Sequence, residues 1–164
     1  MKYLAGFALP FVIILFLMYF MRGQKPVTYD ERQTFVRSTA YKYALITGVL
    51  TGFAASFLLD LRLLPMDGSF ALIAVSSLMI CIYVVYSIWK GVFFGISGSW
   101  KRWALVICII GVTNFFIGIT KILQEGLPEG ILTSNNTDII MGTLFLIIFA
   151  ATILSSRKMN DEDQ

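Results

Sequence analysis

Five stretches of the chain carry no Asp, Glu, Lys or Arg: 3–21, 43–59, 68–89, 103–120 and 139–156. An uncharged apolar run of about 18 residues or more reads as a membrane-spanning helix, because at about 1.5 Å per residue it crosses roughly 30 Å of hydrocarbon. The pattern predicts an all-α integral membrane bundle of five transmembrane helices, with spans at about 3–21, 43–62, 68–89, 103–121 and 138–156. The chain is 164 residues long and 57% hydrophobic, and its longest polar segment, 22–42, is too short to build a core of its own. A single transmembrane domain, 1–164, follows.

Charge placement adds a direction. Arg22, Lys25, Arg32, Arg37 and Lys42 lie between the first and second runs, Lys90, Lys101 and Arg102 between the third and fourth, and Arg157 and Lys158 after the fifth. The opposite side holds Lys2, Arg62 and Lys121 alone. The positive-inside rule therefore predicts an N-terminus outside and a C-terminus in the cytoplasm, in a plasma membrane. A cleaved signal peptide is a weaker reading of the first run, since no small-x-small site follows it and its C-terminal flank is basic. Aromatic residues agree with this direction. Trp89, Trp100 and Trp103 bracket the third-to-fourth connection, and Tyr19, Tyr41, Tyr43, Tyr83 and Tyr86 sit at span ends on the predicted inner side, where amphipathic rings favour the headgroup level. The uncharged stretch 91–100, with Phe93 and Phe94, is expected to lie in the interface.

The first cytoplasmic loop holds most of the charge. Thr28 followed by Glu31 has the form of a capping box, and Asp30 with Glu31 suits the positive end of a helix dipole, so a helix is expected to start near Tyr29. Val36, Ala40 and Tyr43 recur at helical spacing, so this helix is expected to run into the second span. Asp30, Glu31, Arg32, Gln33 and Arg37 are the candidate partner-binding surface. The competing view is a solvated linker whose basic residues touch anionic lipid heads.

Within the predicted spans, polar groups are few. Thr113 and Asn114 sit near the centre of the fourth run and form the candidate intramembrane polar contact; the Asn114 amide is expected to bond another helix or line a polar path. Gly48, Gly52 and Ser56 recur every four residues and predict a helix-packing face, which Gly111 and Gly118 of the fourth run could meet. Pro10 is expected to kink the first span. Cys81 and Cys108 read as small apolar packers. Two Cys and no His make a zinc or haem centre an unsuitable reading and remove the usual general base. Asp60 and Arg62 read as boundary residues, and 135–137 as a turn and N-cap leading into the fifth span with Asp138 in its first turn.

Several short motifs, taken in order, carry a resemblance: Asp30-Glu31-Arg32-Gln33, then Tyr41-Lys42-Tyr43-Ala44 leading into a span, Ile88-Trp89-Lys90 ahead of Phe94-Gly95, and Asn114 ahead of a glycine. In these the chain resembles a family of small multi-pass membrane proteins from Gram-positive bacteria, over most of its length after the first span. The resemblance implies a location and an architecture and no assigned activity. The family pattern implies an acidic residue after the Trp-Lys pair, where this chain has Gly91.

Together these features favour a non-catalytic accessory or regulatory subunit, not an enzyme. It would contact membrane lipids and a protein partner or further copies of itself, with no cofactor, no metal and no nucleic acid. The alternative is a small oligomeric transporter or channel for a small solute or ion, with Thr113 and Asn114 on its path.

Overall fold

The computed structural model describes residues 30–93 and 100–162. The predicted first span, 3–21, with Pro10, lies outside the described residues, as do Thr28 of the expected capping box and the stretch 94–99. The architecture below is that of the unit Glu31–Gln164.

Four long helices make up this unit: α1 (Glu31–Asp60), α2 (Gly68–Trp89), α3 (Trp100–Glu125) and α4 (Thr137–Glu162), with short 3-10 turns at Pro128–Gly130 and Ser134–Asn136. Each is long and apolar enough to cross a membrane, over Glu31–Asp60, Gly68–Trp89, Trp103–Glu125 and Ser134–Ser156. Large apolar side chains point outward along them, among them Phe53, Leu72 and Leu123, each at least 70% exposed. A soluble helix hides such residues; a lipid-facing one has no reason to. The protein is therefore built as a membrane-embedded helical unit, with the predicted second to fifth runs lying within α1 to α4.

The helices form a row and not a closed ring. At backbone level α1 packs on α2, α2 on α4 and α4 on α3, while α1 touches neither α3 nor α4, and α2 does not touch α3. Two antiparallel hairpins are thus joined through α2 and α4, which run parallel. Their seam is filled by Val84 and Ile88 of α2 against Leu144 and Ile148 of α4, with Cys81 and Ile107 packed around them. Ser87, 1% exposed, closes its hydroxyl onto the Tyr83 carbonyl at 2.7 Å, and Thr152 does the same to Ile148 at 2.8 Å. Each hydroxyl is satisfied by its own helix, as a polar group in this setting must be. Ser155 Oγ donates across the seam to the Ile88 carbonyl at 3.2 Å.

Glycines set the closest approaches. On α3 a Cβ at Gly118 would stand 2.8 Å from the Ile139 nitrogen, and one at Gly111 3.1 Å from the Leu146 nitrogen. On α4 a Cβ at Gly142 would overlap the Phe115 backbone. Gly48 of α1 receives the Met79 side chain of α2, and Gly52 faces Val75 at 4.0 Å. The two glycine sets therefore serve different pairs. Gly111 and Gly118 do not meet Gly48 and Gly52, because α1 and α3 occupy opposite edges of the row. Ser56 is exposed: a four-residue repeat turns about 40° per step on an α-helix, so the stripe drifts off the contact line.

The ends are closed by backbone bonds. Asp67 caps α2, accepting from the Phe70 amide at 2.6 Å. A parallel bridge pairs Met66 with Leu132. Through it Leu132 N–H donates to the Pro65 carbonyl and Asp67 N–H to the Leu132 carbonyl, each at 2.8 Å. This ties loop 61–67 of one hairpin to loop 126–136 of the other. The turn Ser134–Asn136 touches α2, α3 and α4, and Thr133 and Asn136 cap it reciprocally, with Asn136 buried. The reciprocal cap thus belongs to this turn, which leads directly into α4, and Asp138 stands in the first turn of α4.

Both α1 and α2 end in the same motif. After α2, Gly91 N–H donates to the Ile88 carbonyl and Val92 N–H to the Ser87 carbonyl, with Gly91 at φ +70°. After α1, Arg62 N–H donates to Leu59 and Leu63 N–H to Leu58, with Arg62 at φ 55°. These are Schellman ends, whose left-handed residue is normally glycine. Gly91 thereby takes the left-handed position without the strain that Arg62 bears, which accounts for its place after the Trp-Lys pair.

Gly142→Ala is expected to destabilise the unit by about 1–3 kcal/mol through overpacking, whereas Gly68→Ala, whose Cβ would meet nothing within 4 Å, should be near neutral. Thermal unfolding in one mild detergent separates the two. In the same assay Arg62→Gly should raise stability by up to about 1 kcal/mol and Gly91→Ala should lower it by about as much, since an L-residue in the left-handed region is strained by roughly that amount.

Candidate functional site

The charged end of α1 is part of the same 30-residue helix as the span, with no break between them. Such a helix is about 45 Å long, roughly 15 Å more than the hydrocarbon needs. Its buried residues are Val36, Ala40, Ala44 and Gly48, one every four positions. Small side chains along this stripe let the helix lie close to its neighbour, and Ala40 is completely buried. Arg32, one turn before Val36 on the same stripe, is exposed. Burial along this stripe therefore ends between them.

The structure places the five predicted surface residues unequally. Asp30 precedes the helix and is exposed; Glu31 and Arg32 are exposed in its first turn; Gln33 and Arg37 are half-buried. Glu31 lies at the positive end of the helix dipole, where a carboxylate is favoured. Exposed charge of both signs at a helix end is a surface that another protein or lipid headgroups can read. Among the described residues no group of three or more Cys, Asp or Glu is placed to hold a metal ion.

The intramembrane pair is arranged differently from its expectation. Thr113 is exposed and Asn114 half-buried. The Asn114 amide donates to the carbonyl of Ile110 on its own helix at 2.9 Å, so it does not link helices within this unit. An amide one turn from a carbonyl reaches it without any neighbour, and this local bond replaces the interhelical one.

Two features were not legible as pairs in the sequence. Tyr41 of α1 stacks on Tyr83 of α2 with ring centres 4.4 Å apart, and Tyr43 meets Tyr86 edge-on at 5.4 Å. Lys90 Nζ lies 5.9 Å from the Tyr86 ring centre. An aromatic clasp thus closes the α1–α2 hairpin at the end where the charged extension leaves it. Spacing had put these tyrosines at one level; only the antiparallel register pairs them. At the opposite end Lys121 of α3 forms an ion pair with Asp138 of α4. Two opposite charges at the facing ends of consecutive spans were the available signal. With both side chains partly exposed, the pair contributes modestly.

Because Asn114 bonds only its own helix among the described residues, Asn114→Leu is expected to shift the thermal midpoint in detergent little, corresponding to about 0.6 kcal/mol or less. Tyr83→Ala, which removes a stacked ring, should cost more, about 0.5–1.5 kcal/mol beyond the lost burial. Compared with protein-family models, curated proteins and solved structures, the chain matches none.

Proposed function

We propose that this chain is a non-catalytic multi-pass protein of the bacterial cell membrane, an accessory or regulatory subunit that binds a protein partner through the charged start of α1. The observation that carries this reading is the unbroken helix Glu31–Asp60, which holds Glu31 and Arg32 exposed on the same rigid rod as a membrane span. A partner bound there would act on the α1–α2 hairpin directly. The N-terminus is assigned to the outside and the C-terminus to the cytoplasm, on the excess of Lys and Arg at the tyrosine end. The resemblance to small membrane proteins of Gram-positive bacteria supports the same location.

A small oligomeric transporter draws less from the geometry. Thr113 faces outward at the edge of the row, and Asn114 is engaged by its own helix. The clefts between the described helices are lined mainly by apolar side chains, which offer little to a hydrated ion.

Replacing Asp30, Glu31, Arg32 and Gln33 with alanine should abolish recovery of the partner when the tagged protein is purified from native membranes in mild detergent. The thermal midpoint should stay close to that of the parent, since three of the four side chains are exposed. Recovery of the same partner with the variant would refute this docking surface.

A further inference from the structure

At the tyrosine end, a cleft of about 550 Å³ lies against α1 and α2, within the range of small-molecule sites. Tyr41, Lys42 and Leu45 line it from α1, and Met79, Ile80 and Tyr83 from α2. The Met79 side chain that lines it lies against Gly48, where a Cβ would otherwise stand. Methionine there can adapt to a chain of variable shape. The lips, Leu45 and Ile80, are 58% and 52% exposed, so the cleft opens sideways, toward lipid. At the level of the stacked Tyr41 and Tyr83 rings the lining ends in Lys42.

Lys42 is the one charged residue of this lining. It is exposed, and no carboxylate pairs with it among the described residues. An ammonium on a flexible stem, beside aromatic rings that favour the headgroup level, stands over an apolar slot that continues toward the bilayer interior. The charge calls for an anion and the slot for an acyl chain, and one molecule in a membrane supplies both. We infer that the α1–α2 cleft binds an anionic phospholipid, with its phosphate at Lys42 and one acyl chain laid between Leu45 and Ile80 over Met79. A zwitterionic lipid of the same chain length would fill the slot and bring no net charge to Lys42. The inference rests on the membrane embedding of the unit and is independent of the protein partner proposed above.

Purified full-length protein in mild detergent, equilibrated with equal amounts of a phosphatidylglycerol and a phosphatidylcholine of identical chains, tests this by native mass spectrometry. The parent should retain the anionic lipid about fivefold over the zwitterionic one, the factor expected of a single lysine near a headgroup. Lys42→Gln should remove the preference and Lys42→Arg should keep it. Ile80→Trp, at an exposed lip, should reduce retention of both lipids. Thermal midpoints recorded beside each variant should match the parent, because Lys42 and Ile80 are exposed. Equal retention of the two lipids by the parent overturns the proposal, as does a preference that survives Lys42→Gln. Either result leaves the docking role of the α1 start untouched, since that role is read by partner recovery.

Discussion

Helices in hydrocarbon are not pushed together by water, so their association depends on how closely their surfaces approach. Gly142 against the Phe115 backbone, with Gly111 and Gly118 against Leu146 and Ile139, provides that approach between α3 and α4. Gly48 provides it between α1 and α2 by admitting Met79. Each hairpin is thereby a tight pair with its own glycines, and the seam of Val84, Ile88, Leu144 and Ile148 joins the pairs. The backbone bonds between loops 61–67 and 126–136 fix the hairpins at one end, and Ser155 to Ile88 at the other.

This division shapes what the unit can do. A row of helices leaves both edges and much of each face to lipid, which explains why many large apolar side chains are exposed. It also leaves clefts along the helix pairs. The α1–α2 hairpin carries the aromatic clasp, the lipid-facing cleft and the charged first turn on one pair of helices. A load applied to the exposed end of α1 would therefore reach the clasp and the cleft through a continuous helix, with no loop in between to absorb it.

Polar groups follow the same economy. Hydroxyls of Thr51, Ser76, Ser87, Thr120 and Thr152 each bond a carbonyl of their own helix. Asn114 does likewise. In a medium without water a local bond is always within reach, whereas a bond to a neighbour needs the neighbour at the right height and rotation. This is why the most polar residue of the fourth predicted span does not act as interhelical glue in this unit.

The amino-acid sequence by itself determined the spans within the described region, because an uncharged run of sufficient length leaves the backbone no alternative to helix in hydrocarbon. Predicted 68–89 coincides with α2. It also determined that the start of α1 would continue into its span, since Val36 and Ala40 keep the helical period across the boundary. Only the tertiary structure decided which helices are neighbours. A glycine stripe states that some helix will come close, yet Gly111 and Gly48 carry no mark of their different partners. The Tyr41–Tyr83 and Tyr43–Tyr86 pairs depend on an antiparallel register that no local pattern records. The advantage of Gly91 became visible only with the positive φ of a helix end. Periodicity is a property of one helix and survives in its own residues, whereas pairing is a property of two and is settled by which surfaces fit.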